Sequence, residues 1–142
     1  MAQINILENR FQYLSPFSAH QIQIWGEHFA TVEHAYQASR VISGPEREAI
    51  INAPSPLAAW KEGQKYKNDE RLKVKGFDKL AVMEELFRAK LAQHEDIAEI
   101  LKETGDAELI KVHEHDYFWG TGADGTGKNM MGKLWMQLRS EL

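Results

Sequence analysis

Residues 21–40 constrain the fold more than any other stretch of the chain. Gln21-Ile22-Gln23-Ile24 alternates polar and apolar residues with period two and reads as a strand. Trp25-Gly26-Glu27 reads as a turn, and His28-Phe29-Ala30 returns as a second strand. Thr31 then stands where a helix cap belongs, its hydroxyl placed to accept from an early backbone N–H. Val32, Ala35, Tyr36 and Ser39 recur at helical spacing and are expected to face a core. Glu33, Gln37 and Arg40 share another face. Glu33 falls just beyond the hairpin, in a first turn where the helix dipole favours a carboxylate. Two readings follow: a solvated polar stripe, or a fixed glutamate facing a ligand and braced by Gln37. On these residues alone the solvated stripe is favoured, and Arg40 reads as surface.

The flanking segments set the fold class. Ile4 to Leu7 reads as a short strand. The aromatic-rich run from Asn9 to Ser18, broken by Pro16, reads as edge structure or as a loop presenting Arg10 and Phe17. Gly44-Pro45 and Ser55-Pro56 each open a helix with proline at its favoured first position. The first is expected to end near Asn52-Ala53-Pro54 and the second near Tyr66. Lys65 to Lys75 is a basic run that reads as a solvated loop, or else as a flank attracting anionic substrate. Asp78 is placed to cap the longest helix, in which Leu80, Met83, Leu86, Phe87 and Leu91 form an apolar stripe. Lys90 lies beside that stripe and is expected to snorkel to the surface. Glu95 to Thr104 is a further helix stopped by Gly105, Ala107 to Val112 a strand, and Met130 to Leu142 the closing helix. Strands and helices do not alternate as they do in a doubly wound sheet. The expected class is α+β: a helix-rich single domain over residues 1–142 with a small, mostly antiparallel sheet.

The stretch Asp116 to Asn129 is the second unusual feature. Gly122 to Lys128 spells GxxxxGK, but Asn129 stands where a phosphate loop carries Ser or Thr, and no buried strand precedes it. A nucleotide-binding P-loop is rejected. The glycines still permit close approach of backbone to a ligand and an exposed N–H cradle. Trp119 at the loop entrance is placed to stack a flat ring, with Asp116 as a second carboxylate. His113 and His115 would share one face of a strand beside Asp116, but no third ligand is set by spacing, so no metal site is assigned.

Composition narrows the chemistry. The 142-residue chain carries a net charge of −4, which argues against a broad basic surface tracking a nucleic-acid backbone. It has no cysteine, which removes disulfides, thiolate metal sites and a cysteine nucleophile. The N-terminal residues lack a signal-peptide pattern, and no window approaches the roughly 20 apolar residues of a membrane span. A cytoplasmic protein without membrane contact is expected.

Three segments together resemble one family. Phe11 to Ser18 resembles its aromatic-Leu-Ser-x-Phe motif. Thr31-Val32-Glu33-His34-Ala35-Tyr36-Gln37-Ala38 is similar to its Ser/Thr-x-Glu-His-x-Tyr/Phe-Gln-Ala helix. Asp116-Tyr117-Phe118-Trp119-Gly120 with Gly127-Lys128-Asn129-Met130-Met131-Gly132 is similar to its Asp-x-x-Trp-Gly and Gly-x-Asn-x-x-Gly ending. This is the NADAR, or YbiA-like, family, and the resemblance covers nearly the whole chain. It implies hydrolysis of a ribose C1–N bond without metal or cofactor. The implied substrate is small and nucleotide-like: ribosylamino-pyrimidine phosphates of riboflavin synthesis in a metabolite-repair role, or alternatively ADP-ribose on guanine bases of nucleic acid. A non-catalytic module binding ADP-ribose or nucleotide is the rival. The resemblance assigns catalysis to Glu33 and Asp116, and substrate binding to Arg10, Phe17, Gln37, Phe77, Lys90, Trp119, Gly120, Lys128 and Asn129. The chain departs from the family pattern at Pro16, where asparagine is usual, and near Phe77, where a tryptophan is usual.

Overall fold

The computed structural model describes residues 2–142; Met1 lies outside the described residues. The chain forms two compact units. One comprises Pro16–Gln93; the other, the terminal unit, joins Met1–Ser15 to His94–Leu142.

The 16–93 unit begins with the expected hairpin, β2 (Ile22–Ile24) and β3 (Glu27–Phe29), following β1 (Gln3–Asn5) in the chain. The hairpin is antiparallel with Ile22 opposite Phe29. Trp25 and Gly26 both take positive φ, 57° and 75°, the signature of a type I′ turn whose twist matches the strands. Trp25 is an unusual occupant of that position, and its indole N–H is held by Glu85 at 2.9 Å.

Helix α1 (Val32–Ser39) follows at once, capped by Thr31, whose hydroxyl accepts from the His34 N–H at 3.2 Å. Helices α2 (Pro45–Ile51) and α3 (Pro56–Tyr66) start at the two proline signals, and Ser55 caps α3. Helix α4 (Lys79–Gln93) starts after Asp78, which accepts from the Ala81 N–H. Helix α1 packs against α2, α3 and α4, so it is enclosed by its neighbours. It is buried from Val32 to Ala38, including Glu33, His34 and Gln37. The solvated stripe expected on α1 is therefore absent: packing on several sides overrides the amphipathic pattern.

In the terminal unit, β1 pairs in parallel with β4 (Glu108–Ile110). The strands thus form two separate pairs, one parallel and one antiparallel. A 3-10 helix covers Asn9–Leu14, α5 covers Glu95–Glu103 and α6 covers Met130–Ser140. Gly105 ends α5 with φ 59°, the left-handed stop that glycine allows. Strand β4 ends earlier than its sequence suggests because the next N–H, that of Lys111, turns to the Asn129 side chain. Trp135 of α6 is fully buried and its indole donates to the Leu14 carbonyl at 2.8 Å.

Gly132 lets α6 sit directly on β4: a Cβ there would overlap the Leu109 carbonyl and the Asn129 side chain. Backbone cannot yield as a flexible side-chain end can. Gly132→Ala is expected to destabilise the protein by about 1–3 kcal/mol, the usual range for overpacking. Urea unfolding of the two proteins measures it, and equal midpoints would show that α6 shifts without cost.

Candidate functional site

Each unit carries part of the motif set. In the 16–93 unit, the N–H of Glu33 donates to the Pro16 carbonyl at 3.1 Å. A helix leaves its first N–H groups without intrahelical partners, and this contact satisfies one of them from outside the helix. It uses backbone only, so proline in place of asparagine leaves it intact. Glu33 is 6% exposed. Its Oε2 accepts from Gln37 Nε2 at 2.7 Å, and Gln37 Oε1 accepts from an Arg40 guanidinium N–H at 3.1 Å. The guanidinium lies 5.8 Å from the Tyr36 ring centre. Arg40, assigned to the surface by its sequence position, is half-buried and the outer member of this relay.

His34 is accounted for by structure. A carbonyl only accepts, so Nε2–H donates to Ala53 O at 3.0 Å, and the Thr31 hydroxyl faces Nδ1 at 2.8 Å. Both ring nitrogens are committed to holding α1.

Lys90 does not snorkel. It is 0% exposed, and its ammonium donates to Ser18 Oγ at 2.6 Å, which in turn meets His20 Nδ1 at 2.8 Å. Taking an ammonium out of water costs several kcal/mol, and the hydroxyl of Ser18 is among the groups that offset it. In the sequence Ser18 only closes the Phe11 to Ser18 motif and His20 carries no local signal, because their partner Lys90 is about 70 residues away. Phe17 is 41% exposed, and Phe77 is half-buried with its ring edge-on to Tyr36 at 5.8 Å.

The terminal unit holds the rest. Asp116 Oδ2 accepts from Lys111 Nζ at 2.7 Å, while Oδ1 accepts from the N–H groups of Trp119 at 2.9 Å and Phe118 at 3.2 Å. Burial raises the carboxyl pKa, but the Lys111 ammonium and the two N–H donors outweigh it, and the net displacement is below the ordinary value. Asp116 is therefore a charged organiser of the loop that carries Trp119. The Trp119 ring is half-buried and edge-on to Phe118 at 4.7 Å.

The expected anion cradle is not formed by Gly127 and Lys128. The Gly127 N–H donates to Thr121 O at 2.7 Å and that of Lys128 to Tyr117 O at 2.8 Å. The N–H groups of Asn129, Met130 and Met131 go to the carbonyls of Gly120, Phe118 and Trp119. These donors are consumed in folding the loop back on itself. Gly120 is packed so closely that a Cβ would press on the carbonyls of Asp116 and Lys111. Asn129 is buried, left-handed at φ 51°, and spends its side chain on Leu109 O at 2.9 Å and the Lys111 N–H at 3.0 Å. Lys128 is exposed, 5.8 Å from the Phe118 ring centre. Arg10 is exposed and paired with Glu103. His113 and His115 lie on an exposed turn rather than on a strand.

Asp116→Asn keeps the acceptors for both N–H groups but strands Lys111. At pH 7 it is expected to cost about 1–3 kcal/mol, as for a partly buried charged hydrogen bond. Because the folded-state pKa is depressed, the carboxylate's contribution is whole above the unfolded value of 3.8 and is lost as pH falls below it through the folded pKa. Denaturation of both proteins at pH 7 and pH 3.5 should show the gap narrowing on acidification; a gap independent of pH would remove the ion pair from the account.

Comparison with known proteins agrees with these motifs. The NADAR domain model matches residues 5–142. N-glycosidase YbiA of Escherichia coli K12 is 35% identical over 128 residues, covering 90% of this chain and 79% of that protein. Its NMR structure aligns with a TM-score of 0.84 at 33% identity, covering 99% of this chain and 84% of that one. An N-glycosidase of Nostoc punctiforme is 37% identical over 131 residues, covering 90% of this chain and 83% of its own length. The maize chloroplastic riboflavin biosynthesis protein PYRR is 33% identical over 153 residues, covering 93% of this chain and 23% of its own.

Proposed function

The chain belongs to the NADAR family, and from that premise we propose that it is an N-glycosidase that hydrolyses the ribose C1–N bond of ribosylamino-pyrimidine phosphates drawn from the cytoplasmic riboflavin pathway. Relatives named as N-glycosidases and as riboflavin biosynthesis proteins support the reaction and the substrate class. The observation that carries the assignment of the acting group is Glu33: a sheltered carboxylate with one oxygen fixed by Gln37.

The chemistry asks for such a group. As the C1–N bond breaks, its electron pair leaves with nitrogen and positive charge develops on the sugar. Water then bonds to C1, and one of its protons compensates the departing nitrogen. A carboxylate already oriented beside C1 stabilises the positive charge as it develops, with little reorganisation during the reaction. Trp119 is assigned to stacking the base. Asp116 is assigned as a positioning residue acting through Trp119, since its oxygens are occupied by the loop. Lys90, Phe17 and Phe77 remain assigned to substrate contact.

Glu33→Gln preserves volume and a hydrogen-bonding partner for Gln37. It is expected to lower turnover by about 10³-fold, within the range for removing a preorganised electrostatic group, with circular dichroism and melting temperature little changed. The assay is release of the free reducing sugar (ribose phosphate or ADP-ribose) from a panel holding the ribosylamino-pyrimidine phosphate and an oligonucleotide bearing ADP-ribosylated guanine. Wild-type rates in the variant would remove Glu33 from the mechanism. Cleavage of the oligonucleotide alone would move the substrate to ADP-ribosylated nucleic acid. Binding without cleavage of either would make the chain a ligand-binding module.

A further inference from the structure

A cleft of about 500 Å³ opens in the 16–93 unit where the C-terminal end of α1 meets the 66–77 segment. That volume lies within the range of small-molecule sites. The segment is held there by backbone: the Ile42 N–H donates to Leu72 O, the Val74 N–H donates to Arg40 O, and Val41 bridges Lys73. Lys73, at the bridge, and Lys75, in the turn that follows, both line the cleft with Arg40 and Lys67.

The charges there are not matched. Elsewhere in the basic run, Lys65 pairs with Glu62 and Arg71 with Asp69. Within the cleft, Glu70 is the one acidic lining residue, and it pairs with Lys73 at 3.3 Å. Arg40, Lys67 and Lys75 make no ion pair among the described residues. A protein of net charge −4 therefore gathers around one concavity three cations that make no direct ion pair among the described residues. Such focusing attracts anions. Arg40 has five N–H donors, and the relay to Gln37 uses one of them. Its planar fork suits a phosphate oxygen pair, and the Phe77 ring gives the cleft an apolar wall.

We propose that this cleft is a phosphomonoester subsite, with Arg40, Lys67 and Lys75 as its anion-holding residues. The subsite is joined to Glu33 by the Arg40–Gln37–Glu33 relay, so that phosphate binding and the orientation of the acting carboxylate are coupled. The relay spans no more than about 8 Å from guanidinium nitrogen to Glu33 oxygen. In a sugar 5-phosphate the anomeric carbon and phosphorus are five bonds apart, each of about 1.5 Å, so their separation stays below about 7.5 Å. The two lengths are commensurate. The link to substrate phosphate rests on the N-glycosidase reading; the subsite itself does not.

The test has a binding arm and a kinetic arm, both on the full chain. In the first, inorganic phosphate is titrated into the wild type, Arg40→Met and a Lys67→Met/Lys75→Met double variant by NMR. Binding that weakens with salt, and by about tenfold in each variant, is expected for a charge-assisted site. No phosphate binding, or binding that the variants leave untouched, overturns the subsite whatever the enzyme cleaves. In the second arm, kcat/KM is compared for ribosylamino-pyrimidine 5-phosphate and its dephosphorylated nucleoside. A preference for the phosphate that falls about tenfold in the variants identifies the substrate's own phosphate as the occupant. Variant-sensitive phosphate binding with no substrate preference identifies a separate phosphate-bearing ligand. Absence of all cleavage would overturn the N-glycosidase reading and leave the binding arm to judge the subsite.

Discussion

The enclosure of α1 is the constraint on which the 16–93 unit depends. A helix packed by three others has no solvated face, yet this one carries threonine, glutamate, histidine and glutamine inside. Each buried polar group left without a partner would cost about 1–3 kcal/mol, so the surroundings must supply partners. They do so from separate parts of the chain. Ala53, after α2, receives the His34 ring; Pro16, before the hairpin, receives the Glu33 N–H; Arg40, at the helix end, reaches Gln37. These contacts fix rotation and height of the helix more sharply than apolar packing does, because hydrogen bonds fail within a few tenths of an ångström. A glutamate held in this way has its orientation set by the fold around it.

The terminal unit solves a different problem. A glycine-rich loop loses much conformational entropy on ordering, and nothing in its sequence pairs strand with strand. Compensation comes from backbone N–H groups satisfied within the loop and from three side chains that reach across it. Asp116 gathers two consecutive N–H groups and the Lys111 ammonium, and Asn129 clamps Leu109 and Lys111. Gly120 and Gly127 let carbonyls approach where a Cβ would collide, and Gly122 makes room for the Tyr117 ring. Trp119 is thereby presented from a loop stiffened by charge and backbone bonding.

Local features were legible in the sequence because local chemistry sets them. Thr31 and Ser55 cap helices through contacts three residues ahead, and Pro45 and Pro56 start helices through their own φ. The hairpin, Asp78 and Gly105 are of the same kind. The motif residues also ordered the chain correctly, since family membership rests on them. What escaped depends on partners distant in sequence. The parallel pairing of β1 with β4 joins residues about one hundred positions apart and leaves no local mark. Lys90 reads as a snorkelling lysine until the Ser18 hydroxyl, 72 residues earlier, is placed against it. Arg40 reads as surface because its cleft is built by a loop that begins at Lys67. The N–H cradle was expected from glycine content, but composition does not reveal where N–H groups are spent.

The direction of the relay decides why residue 37 must be an amide. Arg40 only donates and Glu33 Oε2 accepts, so the residue between them must accept at one end and donate at the other. Glutamine does both, and the two neighbours fix which end is oxygen. A glutamate there would set two carboxylates against each other; a lysine would lose the contact to Arg40. Space is reserved for this amide as well. Gly63 on α3 has no Cβ, and one would overlap the Gln37 side chain. A glycine inside a helix costs about 1 kcal/mol relative to alanine, and here that cost is offset by leaving the Gln37 amide room to lie between guanidinium and carboxylate. The mid-helix glycine of α3 and the glutamine of α1 are thus one feature written in two places, and both serve the orientation of Glu33.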